Sequence, residues 1–233
     1  MSATFDPKRV AEVHLPGSKS PHLLVRGNMP LIGGKFAYKG IENTLDLTFN
    51  DDRFISVSLI DNTGERSSWA EELTAFHVPT DTFPAENWPP YLRQPEWSPK
   101  ILLGTGVLNY GSDSQSRTRA NLIWWPFEGM SVEDTKNPEV FLHSPGWDFA
   151  GLVEFLYGIY HDDAAPTSVI YMHCMLGADR TGALHAGLLI RSGVEVGVAL
   201  QIVAQATDAG APSMDYQRLI KAYASDLNIE ATE

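Results

Sequence analysis

The chain contains one cysteine, Cys174, and it lies in the run His173-Cys174-Met175-Leu176-Gly177-Ala178-Asp179-Arg180-Thr181-Gly182. A thiol, five intervening residues and an arginine, with strand-like sequence before and helix-like sequence after, suit one kind of chemistry. The thiol comes to stand over several backbone amides and a helix N-terminus, which together make an anion cradle. Positive potential there favours thiolate, the nucleophilic form. Arg180 offers paired, planar donors for two oxygens of a phosphate group, a geometry that lysine does not match. Gly177 permits backbone angles closed to other residues, and Thr181 offers a hydroxyl to the thiolate or to a departing group. His173 is not read as a metal ligand, since no second His, Cys or carboxylate stands at ligand spacing on a neighbouring turn.

The elements that must position this loop are legible on both sides of it. Ser168-Val169-Ile170-Tyr171-Met172 is a short apolar, β-branched run and reads as a buried strand. Thr181 to Ser192, Val194 to Thr207 and Ser213 to Asp226 read as three helices. Before the strand, Trp147 to Tyr160 carries Phe149, Leu152, Val153, Leu156, Ile159 and Tyr160 at amphipathic-helix spacing. Helix, strand, loop, helix is an α/β arrangement with the loop at the carboxyl end of a strand.

The whole signature, His-Cys, five residues, Arg, then Thr, resembles that of the cysteine-dependent protein tyrosine phosphatase superfamily, and its Gly177-to-Gly182 form looks most like bacterial and atypical dual-specificity members. The resemblance is specific over 171–190, weaker over 117–160 and faint elsewhere. It implies a single α/β domain over 1–233, with a twisted mixed central sheet flanked by helices and the phosphatase loop between a strand and a helix N-terminus. The implied activity is two-step phosphomonoester hydrolysis on phosphotyrosine in proteins, with phosphoserine or phosphothreonine as further substrates. Many such members carry Lys where Ala178 stands. Ala178 and the acidic Asp179 therefore weigh against highly charged inositol phosphates or phosphoinositides, which remain the alternative substrates. His173 is implied to orient the loop. Gln217 is a candidate for positioning the hydrolytic water, though a solvent-facing helix residue is the preferred reading.

Expulsion of an alkoxide or phenolate calls for a carboxylic acid. In the family it sits on a Trp-Pro-Asp loop; here Trp125-Pro126-Phe127-Glu128 places the carboxylate one position later. Glu128 is the first candidate. Asp134, on the same stretch, Asp148, which also begins a predicted helix and reads as its cap, and Asp81, whose use requires a large insertion, are the alternatives. The displaced acid keeps open a rival class, a pseudophosphatase that binds phosphorylated partners without turning them over.

The first half is less regular. Residues 1–22, with Pro7, Pro16, Gly17 and Pro21, read as an irregular arm. Leu45, Leu47 and Phe49 alternate, Asn50-Asp51-Asp52 suggests a turn, and Phe54 to Ile60 follows, a pattern expected to form a β-hairpin. Ser67 to Phe76 reads as a helix. The stretch 80–100, with five prolines, reads as surface loop. Ile101 to Tyr110 and Arg117 to Trp125 read as two strands around Gly111-Ser112-Asp113-Ser114. Trp124 and Trp125 read as anchors in the core and loop.

The formal charge is -12, from 17 basic and 29 acidic side chains, so long-range forces repel nucleic acid and anionic membrane. A single cysteine excludes an internal disulfide. No apolar run approaches the ~20 residues of a spanning helix, and Met1 to Lys19 lacks a secretory apolar segment, so the expectation is a cytoplasmic protein, with signal-independent export left open. Gly104-Thr105-Gly106 is too short for a nucleotide-binding motif, and no cofactor is expected. The implied partner is a phosphorylated protein or small phosphoester; oligomeric state is undetermined.

Overall fold

The computed structural model describes residues 4–48, 53–60, 66–75, 100–102, 120–125, 140–143, 148–164 and 167–228. Its strands are β1 (Ala11–Glu12), β2 (Leu23–Gly27), β3 (Leu31–Ile32), β4 (Lys35–Phe36), β5 (Arg53–Ser58), β6 (Lys100–Leu102), β7 (Ala120–Trp124) and β8 (Ser168–His173). Its helices are α1 (Tyr38–Leu45), α2 (Arg66–Ala75), α3 (Val140–His143), α4 (Phe149–Tyr160), α5 (Asp179–Arg191), α6 (Val196–Ala206) and α7 (Met214–Asp226). A 3-10 turn spans Pro7–Arg9. The main sheet has the order β1-β2-β8-β5-β7-β6. Its inner strands β2, β8, β5 and β7 are parallel, and β1 and β6 run antiparallel at the edges. This is the mixed sheet with flanking helices that the sequence implies.

The strand that precedes Cys174 is central. β8 is buried at all six positions, and its side chains alternate between two cores. Ile170 and Met172 join the apolar residues of α4, α5, α6 and α7 on one face, while Val169 and Tyr171 join α1, α2 and the N-terminal segment on the other. Burial on both faces explains why β8 is a continuous apolar run. Each fully buried aliphatic side chain stabilises the fold by about 1.5–3 kcal/mol. α5 packs against α4, α6 and α7 and is buried from Thr181 through Ile190. The start of this helix is therefore fixed by the core.

Two expectations for the first half are corrected. Residues Leu45 and Leu47 do not form a hairpin arm. Leu45 ends α1, whose Tyr38, Ile41 and Leu45 share one helical face, and Asp46 closes the helix in the left-handed region at φ 52, its N–H bonded to the Glu42 carbonyl. β5 pairs in parallel with β7 and β8 instead. Nor is the whole of 1–22 irregular. β1 adds an edge strand to β2, and Phe5, Val10, Val13 and Leu15 are buried in the two cores. Of the strand expected over 101–110, residues 101 and 102 belong to β6, antiparallel to β7, and 103–110 lie outside the described residues. Apart from Lys100, the Pro-rich stretch 80–100 lies outside the described residues, as does the turn at 111–114. The described helices contain none long and apolar enough to cross a membrane.

Candidate active site

Residues 174–178 link the C-terminal end of β8 to the first turn of α5. Cys174 is 2% exposed, and the Gly177 N–H donates to its Sγ at 3.3 Å. Gly177 has φ +73, and a Cβ there would stand 2.7 Å from the Gly27 carbonyl oxygen. Both conformation and contact require glycine at this position. Leu176 is 59% exposed at the rim of the loop. The Arg9 guanidinium donates to the Leu176 carbonyl and pairs with Asp6 at 3.4 Å.

Arg180 sits in the first turn of α5, half-buried, and its Nη1 donates to the Leu59 carbonyl at 3.1 Å. Leu59 follows β5 directly and donates its own N–H to the His173 carbonyl at 2.9 Å. The arginine is thus registered against the neighbouring strand. Thr181 is buried, and among the described residues its Oγ1 has no hydrogen-bond partner. Asp179 does not turn into the loop. Its Oδ1 accepts the Ser213 N–H at 2.6 Å and ties the loop to the start of α7. Gln217 donates from Nε2 to the Pro212 carbonyl at 2.8 Å, a bond within its own helix start.

Three residues that sequence reasoning missed, Glu72, Ser58 and Arg26, join His173 in holding the loop from beneath. His173, wholly buried, donates from Nε2 to Oε1 of Glu72 at 2.8 Å. Glu72, on α2 and 1% exposed, accepts from Ser58 Oγ at 2.6 Å through its other oxygen. His173 therefore has a buried carboxylate as its anchor, and both carboxylate oxygens are satisfied. Arg26, at 0% exposure near the end of β2, donates from Nη2 to the Gly177 carbonyl at 2.6 Å. Burial lowers its pKa to about 10, with the Cys174 charge acting in the opposite sense.

The residues that follow β2 make two further contacts, one to the loop and one to β8. The Met29 N–H donates to the Met175 carbonyl at 3.3 Å, and the Tyr171 hydroxyl donates to the Asn28 carbonyl at 2.9 Å. A signal for these residues was present in the sequence: Glu72 shares the helical face of Trp69 and Leu73, and Arg26 interrupts the apolar run Leu23-Leu24-Val25. Charged groups at positions that periodicity buries point to a functional environment.

Of the acid candidates, Glu128, Asp134 and Asp81 lie outside the described residues. Asp148 caps α4, its Oδ1 accepting the Gly151 N–H at 3.0 Å. A Cβ on Gly151 would stand 2.1 Å from Asp148 Oδ2, so residue 151 leaves room for the cap. Among the described residues, no group of three His, Cys, Asp or Glu side chains could hold a metal ion.

The chain is similar to solved protein tyrosine and dual-specificity phosphatases. Kinase associated phosphatase, in a form whose catalytic-site cysteine is replaced by serine, aligns over 99% of each chain at 12% identity and TM-score 0.47. Human DUSP28 aligns over 98% of this chain and 99% of its own at 14% identity and TM-score 0.40. The Yvh1 phosphatase domain from Chaetomium thermophilum aligns over 96% of this chain and 100% of its own at 15% identity and TM-score 0.41. Neither a protein-family profile nor a curated protein sequence matches the chain.

Proposed function

We propose that the chain is a cysteine-dependent phosphatase that hydrolyses phosphomonoesters, phosphotyrosine in proteins first among them. The observation that carries this reading is the arrangement of the loop: a buried Cys174 sulfur accepting a backbone N–H, at the foot of a helix whose first turn bears Arg180. Backbone donors aimed at the sulfur stabilise negative charge on it, and the same dipoles favour an oxyanion above it.

In the proposed reaction the Cys174 thiolate attacks phosphorus, and the bond from phosphorus to the ester oxygen breaks as the new bond from sulfur to phosphorus forms. The ester oxygen takes a proton from a carboxylic acid, assigned to Glu128. Arg180 and the loop amides hold the non-bridging oxygens throughout. Water then attacks the cysteinyl phosphate, gives its proton to the same carboxylate and releases inorganic phosphate and thiolate. Thr181, with its unpartnered hydroxyl, supplies a donor to the departing thiolate.

Steady-state hydrolysis of an aryl phosphate and a phosphotyrosine peptide by wild type, Cys174→Ser and Glu128→Gln across pH tests this reading. Turnover by wild type and none by Cys174→Ser is expected, with Glu128→Gln losing the basic limb of the profile. Folded wild type that binds the peptide yet releases no phosphate overturns the catalytic reading in favour of a binding module.

A further inference from the structure

Arg26 is an expensive residue to bury. It is fully enclosed, and among the described residues no carboxylate pairs with it. Its partners there are neutral acceptors: the Gly177 carbonyl at 2.6 Å, the Val203 carbonyl of α6 at 3.2 Å, and His185 Nδ1 at 3.4 Å, while its Nε has no partner among the described residues. A neutral His185 accepts there, and its pKa is lowered to about 3 by burial and then by Arg26. An unpaired buried guanidinium is costly for a fold, and an apolar side chain of similar volume fills such a space more cheaply. Its best-formed bond goes to the phosphate loop.

We infer that Arg26 is a positioning residue for the phosphate loop, clamping the Gly177 carbonyl so that the next peptide N–H, that of Ala178, points the opposite way, toward the bound oxyanion. The stereochemistry is that of a trans peptide, in which C=O and the following N–H are antiparallel. Fixing the oxygen beneath the loop fixes the hydrogen above it. A Cβ on Gly177 would stand 2.7 Å from the Gly27 carbonyl oxygen, so the backbone of β2 also passes close to the residue that Arg26 holds. Ala178 has no side-chain cation to contribute to the cradle, which places more of the anion binding on correctly aimed amides. The inference rests on the phosphatase reading proposed above.

The test uses the full chain, tungstate as a phosphate-like oxyanion, and Arg26→Met and Arg26→Lys beside wild type. Wild-type hydrolysis of an aryl phosphate is measured first; no turnover defeats the phosphatase reading and the positioning role with it. With wild type active, Arg26→Met is expected to bind tungstate about 10- to 100-fold more weakly, the range of one hydrogen bond from a charged donor. Its kcat is expected to fall by a similar factor with KM less affected, because an amide aimed at developing charge acts mainly in the transition state. Arg26→Lys, which retains the charge and one donor, is expected to recover part of both. Arg26→Met showing a wild-type thermal midpoint together with tungstate affinity and kcat within twofold of wild type overturns the inference. In the unmutated protein, the Arg26 side-chain NMR resonances are expected to shift on tungstate binding, and a shift confined to other arginines overturns it equally.

Discussion

Removing the Glu72 carboxylate should separate the charge of this buried group from its hydrogen bonds. One oxygen accepts from His173 Nε2 at 2.8 Å and the other from Ser58 Oγ at 2.6 Å, with both partners buried. In Glu72→Gln the amide oxygen still accepts from His173, and the amide NH2 donates to Ser58, whose hydroxyl rotates to accept. Both contacts survive, so the expected loss is about 1 kcal/mol, that of exchanging charged for neutral hydrogen bonds. Glu72→Ala leaves the His173 N–H and the Ser58 hydroxyl both unsatisfied inside the core. Each orphan costs about 1–3 kcal/mol, and the cavity adds to that, so a loss of about 3–5 kcal/mol is expected. Urea unfolding followed by tryptophan fluorescence gives both values. Aryl phosphate hydrolysis should fall in the same order, because His173 immediately precedes Cys174, the nucleophile of the proposed reaction. Equal unfolding midpoints for the glutamine and alanine variants would refute the reasoning, as would an alanine variant with wild-type kcat.

Gly27→Ala places a Cβ 1.9 Å from the Tyr171 hydroxyl oxygen, on a ring with no room to withdraw, and is expected to lose at least about 2 kcal/mol in the same unfolding assay. His185 stays neutral in the fold, with a pKa near 3 against 6.5 when unfolded. Its contribution is therefore present above pH 6.5 and is lost as pH falls from 6.5 toward 3. Between pH 7.5 and 5 this amounts to roughly 2 kcal/mol. A His185→Gln variant that remains folded should show a flatter dependence of urea midpoint on pH over that range. Asp148→Ala removes a helix cap and is expected to cost about 1 kcal/mol while leaving the basic limb of the pH-rate profile in place. Loss of that limb would reassign the general acid to Asp148.

The parts of the site that sequence reasoning reached are those whose local pattern agrees with their tertiary setting. β8 is apolar because both its faces are covered, α4 and α5 carry apolar residues at helical spacing, and Cys174, Gly177 and Arg180 sit together through the short loop that joins strand to helix. β2 escaped because Arg26 and Gly27 end it, one charged and the other a poor strand former, and because its partner β8 lies more than 140 residues away. α1 was obscured by Gly40 and Thr44 within it and by the alternation of Leu45 and Leu47 at its end. Glu72 shares a helical face with the apolar Trp69 and Leu73, but its partners His173 and Ser58 lie on other elements, and only their positions in space show what the carboxylate binds. Buried polar contacts between distant segments leave little trace in local periodicity, and the support of this loop consists of them.

The place of β8 between β2 and β5 has a consequence for how the protein is made. Both neighbours are synthesised more than 100 residues before it, and neither pairs with the other. Until β8 emerges, each presents an unpaired inner edge to the nascent chain's surroundings, the kind of edge that invites pairing with other chains. Long-range parallel pairing of this sort is slow to form. The strand that leads to Cys174 is thus the keystone of assembly, and Cys174 acquires its enclosed surroundings only when the sheet closes around it.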